Sequence, residues 1–337
     1  MFFKMRNKRN NDGGIKMRKI YSFILVLGLT VSMLIGCSDP SKEGTKDKQS
    51  TNQAENLSFP LTIQDAVDEK VTIEQKPEKI VSLIPSNTEA VFALGLGEKV
   101  IGVSENDNYP EETKDIQKIG GMEIDTEVIV SLQPDLVLAH ESAHNSKEGI
   151  QQLKDAGIPV LTVNDAQSFK DVYASLEMIG KATGEFDKAK EIVKTMEKKL
   201  EKIGEKAKTI KDEERKSVLV EVSPSPEIYT TGKNTFMDEM LGIISADNVS
   251  GELDGWVKLD EESLIAANPD VIITTYGYYT GNPVKEVTGR NGWEDIKAVK
   301  NGDVYDVHSD LVTRSGPRLI EGVEELAKSV YPNVFDN

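Results

Sequence analysis

The segment "IDTEVIVSLQPDLVL" at 124–138 returns as "LDEESLIAANPDVII" at 259–273. The shift is constant at 260 − 125 = 135, so Asp125 aligns with Asp260, Glu127 with Glu262, Pro134 with Pro269 and Asp135 with Asp270. Each copy reads as a helix opened by an aspartate cap and followed by an apolar strand. "KIVSLIPSNTEAVFALG" has a looser counterpart in "SVLVEVSPSPEIYTTGKNTFMDEMLG". Two long copies are not an array of short repeats; they indicate two similar lobes.

Around the copies, β-branched apolar runs alternate with helical patterns. "KIVSLIPSNTEAVFALGLGEKVIGV" (79–103) reads as strand, turn, helix and strand. Ser86 and Glu89 have capping-box spacing at the helix start, and Gly95 and Gly97 suit its end. "DLVLA" and "GIPVLTV" continue the alternation, which predicts an α/β fold with mostly parallel sheets. From 168 to 215 the pattern changes. Ile192, Met196, Leu200 and Ile203 stand at helical spacing in a Glu-, Lys- and Ala-rich stretch that only Gly204 interrupts. The apolar seam is too short for a coiled coil, so the stretch reads as a long helix joining an N-terminal lobe (59–167) to a C-terminal lobe (216–337).

Lys16, Arg18 and Lys19 precede the 17-residue apolar run "IYSFILVLGLTVSMLIG", which ends at Gly36. A basic patch followed by a run too short to span a bilayer is the layout of an export signal, here 1–36. The run closes as Leu34-Ile35-Gly36-Cys37, and Cys37 is the only cysteine, so no intramolecular disulfide can form. Residues 37–58 are polar and read as a flexible tether. Removal of the signal leaves 33 basic against 56 acidic residues, a net charge of 33 − 56 = −23. Such an acidic chain is a poor partner for nucleic acid.

His140-Glu141-Ser142-Ala143-His144 fits the zinc-peptidase pattern H-E-x-x-H. That chemistry needs both histidines on one helix face with the glutamate activating water. Here the first histidine ends an apolar strand, and the flanking residues do not make an amphipathic helix. A zinc hydrolase using His140, Glu141 and His144 is therefore the remote reading. Gly232-Lys233-Asn234-Thr235 lacks the first glycine and the spacing of a phosphate-binding loop. A shift of 135 carries His140–His144 onto "TYGYY", Thr275–Tyr279. Both segments leave the C-terminal ends of matching strands, where open α/β sheets bind ligands, so both are expected to border one cleft.

In order along the chain, "LIGC", "PSNTE", "YP", "PDLVL", "TTGKNTF", "GWVKLDEESLIAANPDVIIT" and "LVTRSGPR" together resemble the substrate-binding lipoproteins of ABC importers for cobalamin, iron–siderophores or haem. The resemblance covers everything after the tether and is nearest to the cobalamin branch. It implies two lobes joined by a rigid interlobe helix, no catalysis and no resident cofactor. It implies a lipid on Cys37 holding the protein on the extracytoplasmic face of the cell membrane. The implied partners are a permease dimer and its ATPase subunits. Trp256, Tyr229 and Arg314 fall at ligand-binding positions of that branch, and His140 stands where it has an aromatic. Tyr276 joins the ligand set as part of the "TYGYY" loop. Glu127 and Glu262 fall where the branch docks on its permease. Asn106 and Gly121 occupy places where cobalamin binders carry aromatics, which keeps a ferric siderophore or haem open as the ligand.

Overall fold

A computed structural model describes residues 58–336. The signal, Cys37 and the tether as far as Leu57 lie outside the described residues. Among the described residues no helix is long and apolar enough to cross a membrane.

The first lobe begins with an antiparallel hairpin, β1 (Leu61–Gln64) and β2 (Lys70–Ile73). Then come β3 (Ile80–Ser82), α1 (Pro85–Ala93), β4 (Val100–Val103), β5 (Gln117–Lys118), α2 (Thr126–Leu132), β6 (Leu136–His140), α3 (Lys147–Asp155) and β7 (Val160–Val163). The five strands of the main sheet are parallel in the order β5-β4-β3-β6-β7. Helices α4 (Phe169–Thr183) and α5 (Phe186–Ala207) follow, separated where Gly184 turns left-handed at φ +73°. The second lobe holds β8 (Ser217–Glu221), β9 (Tyr229–Thr231), α6 (Phe236–Ile243), β10 (Asp247–Asn248), β11 (Trp256–Lys258), α7 (Glu261–Ala267) and β12 (Val271–Thr274). It ends with α8 (Pro283–Thr288), α9 (Lys297–Asn301), β13 (Val304–Asp306), α10 (Ser309–Thr313), α11 (Leu319–Val330) and α12 (Pro332–Phe335). Its parallel sheet runs β10-β8-β12-β13, and β9 pairs with β11 in a separate two-stranded antiparallel sheet, with α6 and β10 between them in the chain.

The sequence repeat is a structural repeat. Helices α2 and α7 are each 7 residues long, and the side chains of Asp125 and Asp260 cap them by accepting from Val128 N and Ser263 N. Both helices stop on a left-handed residue, Gln133 or Asn268. The aspartate after each proline then clamps the chain entering a central strand of its lobe's parallel sheet, β3 or β8. Asp135 accepts from Glu78 N and Lys79 N, and Asp270 accepts from Ser217 N. The looser half of the repeat differs for a reason: β3 leads directly into α1, whereas β9 intervenes between β8 and α6.

Alternation along the strands builds the core. Ile80, Leu136 and Leu138 belong to one cluster, while Val81, Val137 and Ala139 belong to another on the opposite face. In the second lobe Val218, Val220, Val271 and Ile273 divide from Leu219 and Ile272 in the same way. The first set from each lobe joins a single cluster through Leu176, Ile179, Ala189, Val193, Met196 and Ile203 of α4 and α5. Helix α4 packs on α1 and β7, and α5 packs on α4, α6 and α11.

Two sequence expectations need correction. Ser86 and Glu89 do not form a capping box. Helix α1 starts after Ile84, which makes no side-chain cap, and Pro85 opens it without needing a partner for a missing N–H. Gly204 does not interrupt α5; the break falls at Gly184.

These glycines give a pair of opposite expectations. A Cβ on Gly180 would meet the Ala189 Cβ at 2.5 Å, between α4 and α5, whereas one on Gly204 meets nothing within 4 Å. Gly204→Ala should raise stability by about 0.5–1 kcal/mol through helix propensity. Gly180→Ala should lower it by about 1 kcal/mol or more through overpacking. Urea midpoints of the two variants check the signs.

Candidate functional site

In the first sheet the chain order reverses between β3 and β6, the switch point at which ligands sit beyond the strand ends. The loops leaving four of its strands meet there. Ile84, Pro85 and Ser86 follow β3; Glu105, Asn106 and Asn108 follow β4; His140 and Ser142 close β6; Asp165 and Gln167 follow β7. The second lobe faces them with Trp256, Phe236 and Tyr278, and with the stretch Ser309–Ser315 that follows β13. Between them lies a cavity of about 700 Å³.

The C-terminal wall is aromatic. Trp256 is 41% exposed and rests edge-on against Phe236, with ring centroids 6.1 Å apart. The β9–β11 strand pair presents it. Tyr278 is 75% exposed, and Tyr279 stands edge-on to it at 4.7 Å. The N-terminal wall is polar.

Charged groups from both lobes meet at one carboxylate. Glu89, on α1, is 2% exposed. It accepts from Arg314 Nη1 at 3.0 Å, from Arg318 Nε at 2.9 Å and from Arg318 Nη2 at 2.7 Å. Arg314 also pairs with Asp310 at 3.0 Å and donates to Asn108 Oδ1 at 2.8 Å, while Asn108 donates to Asp310. The Arg318 guanidinium lies 3.7 Å from the centre of the Tyr109 ring, a cation–π contact. Thus "PSNTE", "YP" and "LVTRSGPR", far apart in sequence, touch one another.

His140 is buried at the floor of the cavity. Its Nδ1 accepts from the Ser142 backbone N–H at 3.2 Å, with the Ser142 hydroxyl at 2.7 Å, so the neutral ring holds its proton on Nε2. Burial keeps its pKa below the usual histidine value, although Asp165 and Glu141 pull the other way. The H-E-x-x-H residues leave a strand: His140 ends β6, Glu141 accepts from Asp165 N at 3.1 Å, and His144 starts a short 3₁₀ turn. The two histidines therefore share no helix face. Among the described residues no group of three or more His, Cys, Asp or Glu is arranged to hold a metal.

Of the residues singled out in the sequence, Trp256, His140 and Arg314 line the cavity. Tyr229 is exposed on the same face of the β9–β11 pair as Trp256, opposite Lys258, but lies outside the lining. Tyr276 is a correction. It is wholly buried, and its hydroxyl donates to Glu221 Oε2 at 2.9 Å beside Arg290, which holds Glu221 through two bonds of 2.7 and 3.0 Å. Burial, with Glu221 alongside, pushes its pKa far up. Tyr278, two positions on, is the tyrosine of "TYGYY" that reaches the cavity. Glu127 and Glu262 are exposed in the first turns of α2 and α7. Arg318, Glu105, Asp165 and Phe236 escaped the sequence reading. The signal for Glu105 and Asp165 was their place just after two parallel strands.

Two α/β lobes with a cavity at their facing strand ends have the architecture of a solute-binding protein. The family model for periplasmic binding proteins matches residues 80–311, and the chain belongs to that family. It is 54% identical over 321 residues, 95% of this chain and 99% of the relative, to YvrC, an uncharacterized ABC transporter substrate-binding lipoprotein of Bacillus subtilis. It is 26% identical to a vitamin B12-binding protein of Vibrio parahaemolyticus, over 77% of this chain and 91% of that protein. The crystal structure of a possible iron-binding (periplasmic solute-binding) protein from Staphylococcus epidermidis is similar with a TM-score of 0.69 and 38% identity, covering 76% of this chain and 100% of that one.

Removing the Glu89 carboxylate leaves the largely buried Arg318 without a carboxylate partner and Arg314 with Asp310 alone. Glu89→Ala should cost about 3 kcal/mol or more in unfolding free energy, whereas Asn106→Ala, at an exposed position, should stay within about 0.5 kcal/mol. Chemical denaturation of both variants makes the comparison.

Proposed function

We propose that the chain is the substrate-binding lipoprotein of an ABC importer, capturing a corrinoid, cobalamin, between its lobes and delivering it to the permease dimer that the ATPase subunits drive. The cavity carries the reading. Its 700 Å³ or so, aromatic on one wall and lined on the other by amides and hydroxyls, suits a bulky, flat metal complex with hydrogen-bonding edges. Trp256 and Tyr278 cover a face of the ligand, Tyr229 extends that surface outside the lining, and His140 and Arg314 lie at the floor. Similarity to a vitamin B12-binding protein supports the corrinoid. A ferric siderophore or haem is the second reading. Asn106, Gly121 and His140 in place of aromatics favour it, as does the likeness to a possible iron-binding protein.

Cys37 is the proposed lipid attachment site, which places the protein on the extracytoplasmic face of the cell membrane. Glu127 and Glu262 are the proposed docking pair. They occupy equivalent exposed positions on the two lobes, as a pseudo-symmetric permease requires, and charge pairs across an interface set orientation as well as rate. The residue boundaries proposed for the parts are 1–36 signal, 37–58 tether, 59–167 N-lobe, 168–215 interlobe region and 216–337 C-lobe.

Fluorescence titration should show one-to-one cobalamin binding, and Trp256→Ala should weaken it by about 2 kcal/mol or more. Tight binding of a ferric siderophore with none of cobalamin moves the protein to the second reading. In cells, Glu127→Ala with Glu262→Ala should abolish uptake while leaving affinity in solution unchanged, and Cys37→Ala should leave an unprocessed precursor or shed protein into the medium. Persistent transport by the double variant, or normal lipid labelling of the Cys37 variant, removes the corresponding assignment.

A further inference from the structure

The cavity is lined by one permanent cation, Arg314, and that cation is already spent on Glu89, Asp310 and Asn108. His140 brings no charge, because burial favours its neutral form. Two carboxylates remain. Glu105 and Asp165 are exposed lining residues, and among the described residues neither side chain forms an ion pair or accepts a hydrogen bond. A Cβ on Gly121 would lie 3.1 Å from Glu105 Oε2, so a larger side chain there would contest the space beside this carboxylate. The N-lobe wall thus offers negative charge at a position where an aromatic face was the expectation.

We infer that the cleft selects a metal complex carrying net positive charge, which Glu105 and Asp165 attract on the N-lobe side while Trp256 and Tyr278 cover it on the other. Complexes with carboxylate, catecholate or propionate arms find no free cation among the lining residues to receive them. This inference rests on the reading of the cleft as a metal-complex site and specifies which complexes it takes. Unpaired carboxylates act on charge over longer range than hydrogen bonds do, so at low salt they discriminate between ligands of nearly the same shape.

Aquacobalamin and cyanocobalamin are such a pair, the first bearing one more positive charge. Titration at mildly acidic pH and low salt, where the cobalt-bound water stays protonated, should show aquacobalamin bound about tenfold more tightly, and added salt should erase the difference. Glu105→Gln with Asp165→Asn should also erase the aquacobalamin-to-cyanocobalamin ratio, which is read within the variant itself. Haemin and ferric citrate should bind weakest. A preference that survives both salt and the double variant, with a shift in the visible spectrum, reports direct coordination of cobalt by His140 and overturns the charge assignment. Equal or tighter binding of the anionic complexes overturns it too, while leaving the binding-protein reading intact. Binding of the cationic ferrioxamine B in preference to ferric citrate, with no corrinoid bound, keeps the charge assignment and moves the ligand to the second reading. If no complex binds, both fall. Both residues are exposed, and the salt dependence of the wild-type protein decides the question even if the double variant does not fold.

Discussion

The Glu89 carboxylate is the point on which the geometry of the cleft depends. Buried charge is costly, and here it is balanced: Glu89 and Asp310 against Arg314 and Arg318. The fork of Arg318 grips both carboxylate oxygens, a directional bond that a lysine could not make. Because α1 supplies the acid and the stretch before α11 supplies the bases, the two lobes are pinned together at the cleft floor. Arg314 passes the constraint on to Asn108, and Asn108 to Asp310. Arg318 passes it to Tyr109. The loops after β4 and β13 are thereby held in position before any ligand arrives.

Behind the floor, apolar packing does the same on a larger scale. One cluster runs from Ile80 and Leu138 through α4 and α5 to Val220, Met237 and Val323. The lobes do not have separate cores joined by a loop. Parting them would expose apolar surface at about 25 cal/mol per Å² as well as strand charges. Hinge motion needs a few residues free to absorb a change in φ and ψ, and two packed helices offer few. Ligand capture in such a molecule falls mainly to side chains at the rim, where Trp256, Tyr278 and Tyr279 are exposed.

What could be read from the sequence was local. Aspartate caps, a left-handed residue after each short helix and a Pro-Asp clamp lie within one repeat, so the repeat was visible and its fold followed. The switch-point loops were legible for the same reason: each begins where an apolar strand stops. The Glu89 cluster was not legible. Glu89 lies three residues after Ser86, a spacing that also describes a cap, and its true partners are 225 and 229 residues away. Nor could "TYGYY" reveal which tyrosine faces the ligand. Tyr276 turns inward because Glu221 and Arg290, 55 and 14 residues away, need a third member for their buried cluster. Nor did the sequence show that α5 runs through Gly204 unbroken. Gly184 and Gly204 look alike in sequence, and only the backbone angle at Gly184 separates them.

The antiparallel pair of β9 and β11 has no counterpart after β3. It breaks the kinship of the lobes at the place where they meet the ligand. A scaffold built from two copies would ordinarily present like walls, and a flat molecule could enter with either side forward. Here one wall presents indole and phenol and the other carboxylates, amides and an imidazole. Under the proposed function the two sides of a guest are then not interchangeable. A receiver engaging both lobes would be handed cargo of known polarity: the duplicated frame sets where the parcel is, and the unduplicated strand pair sets which way up it lies.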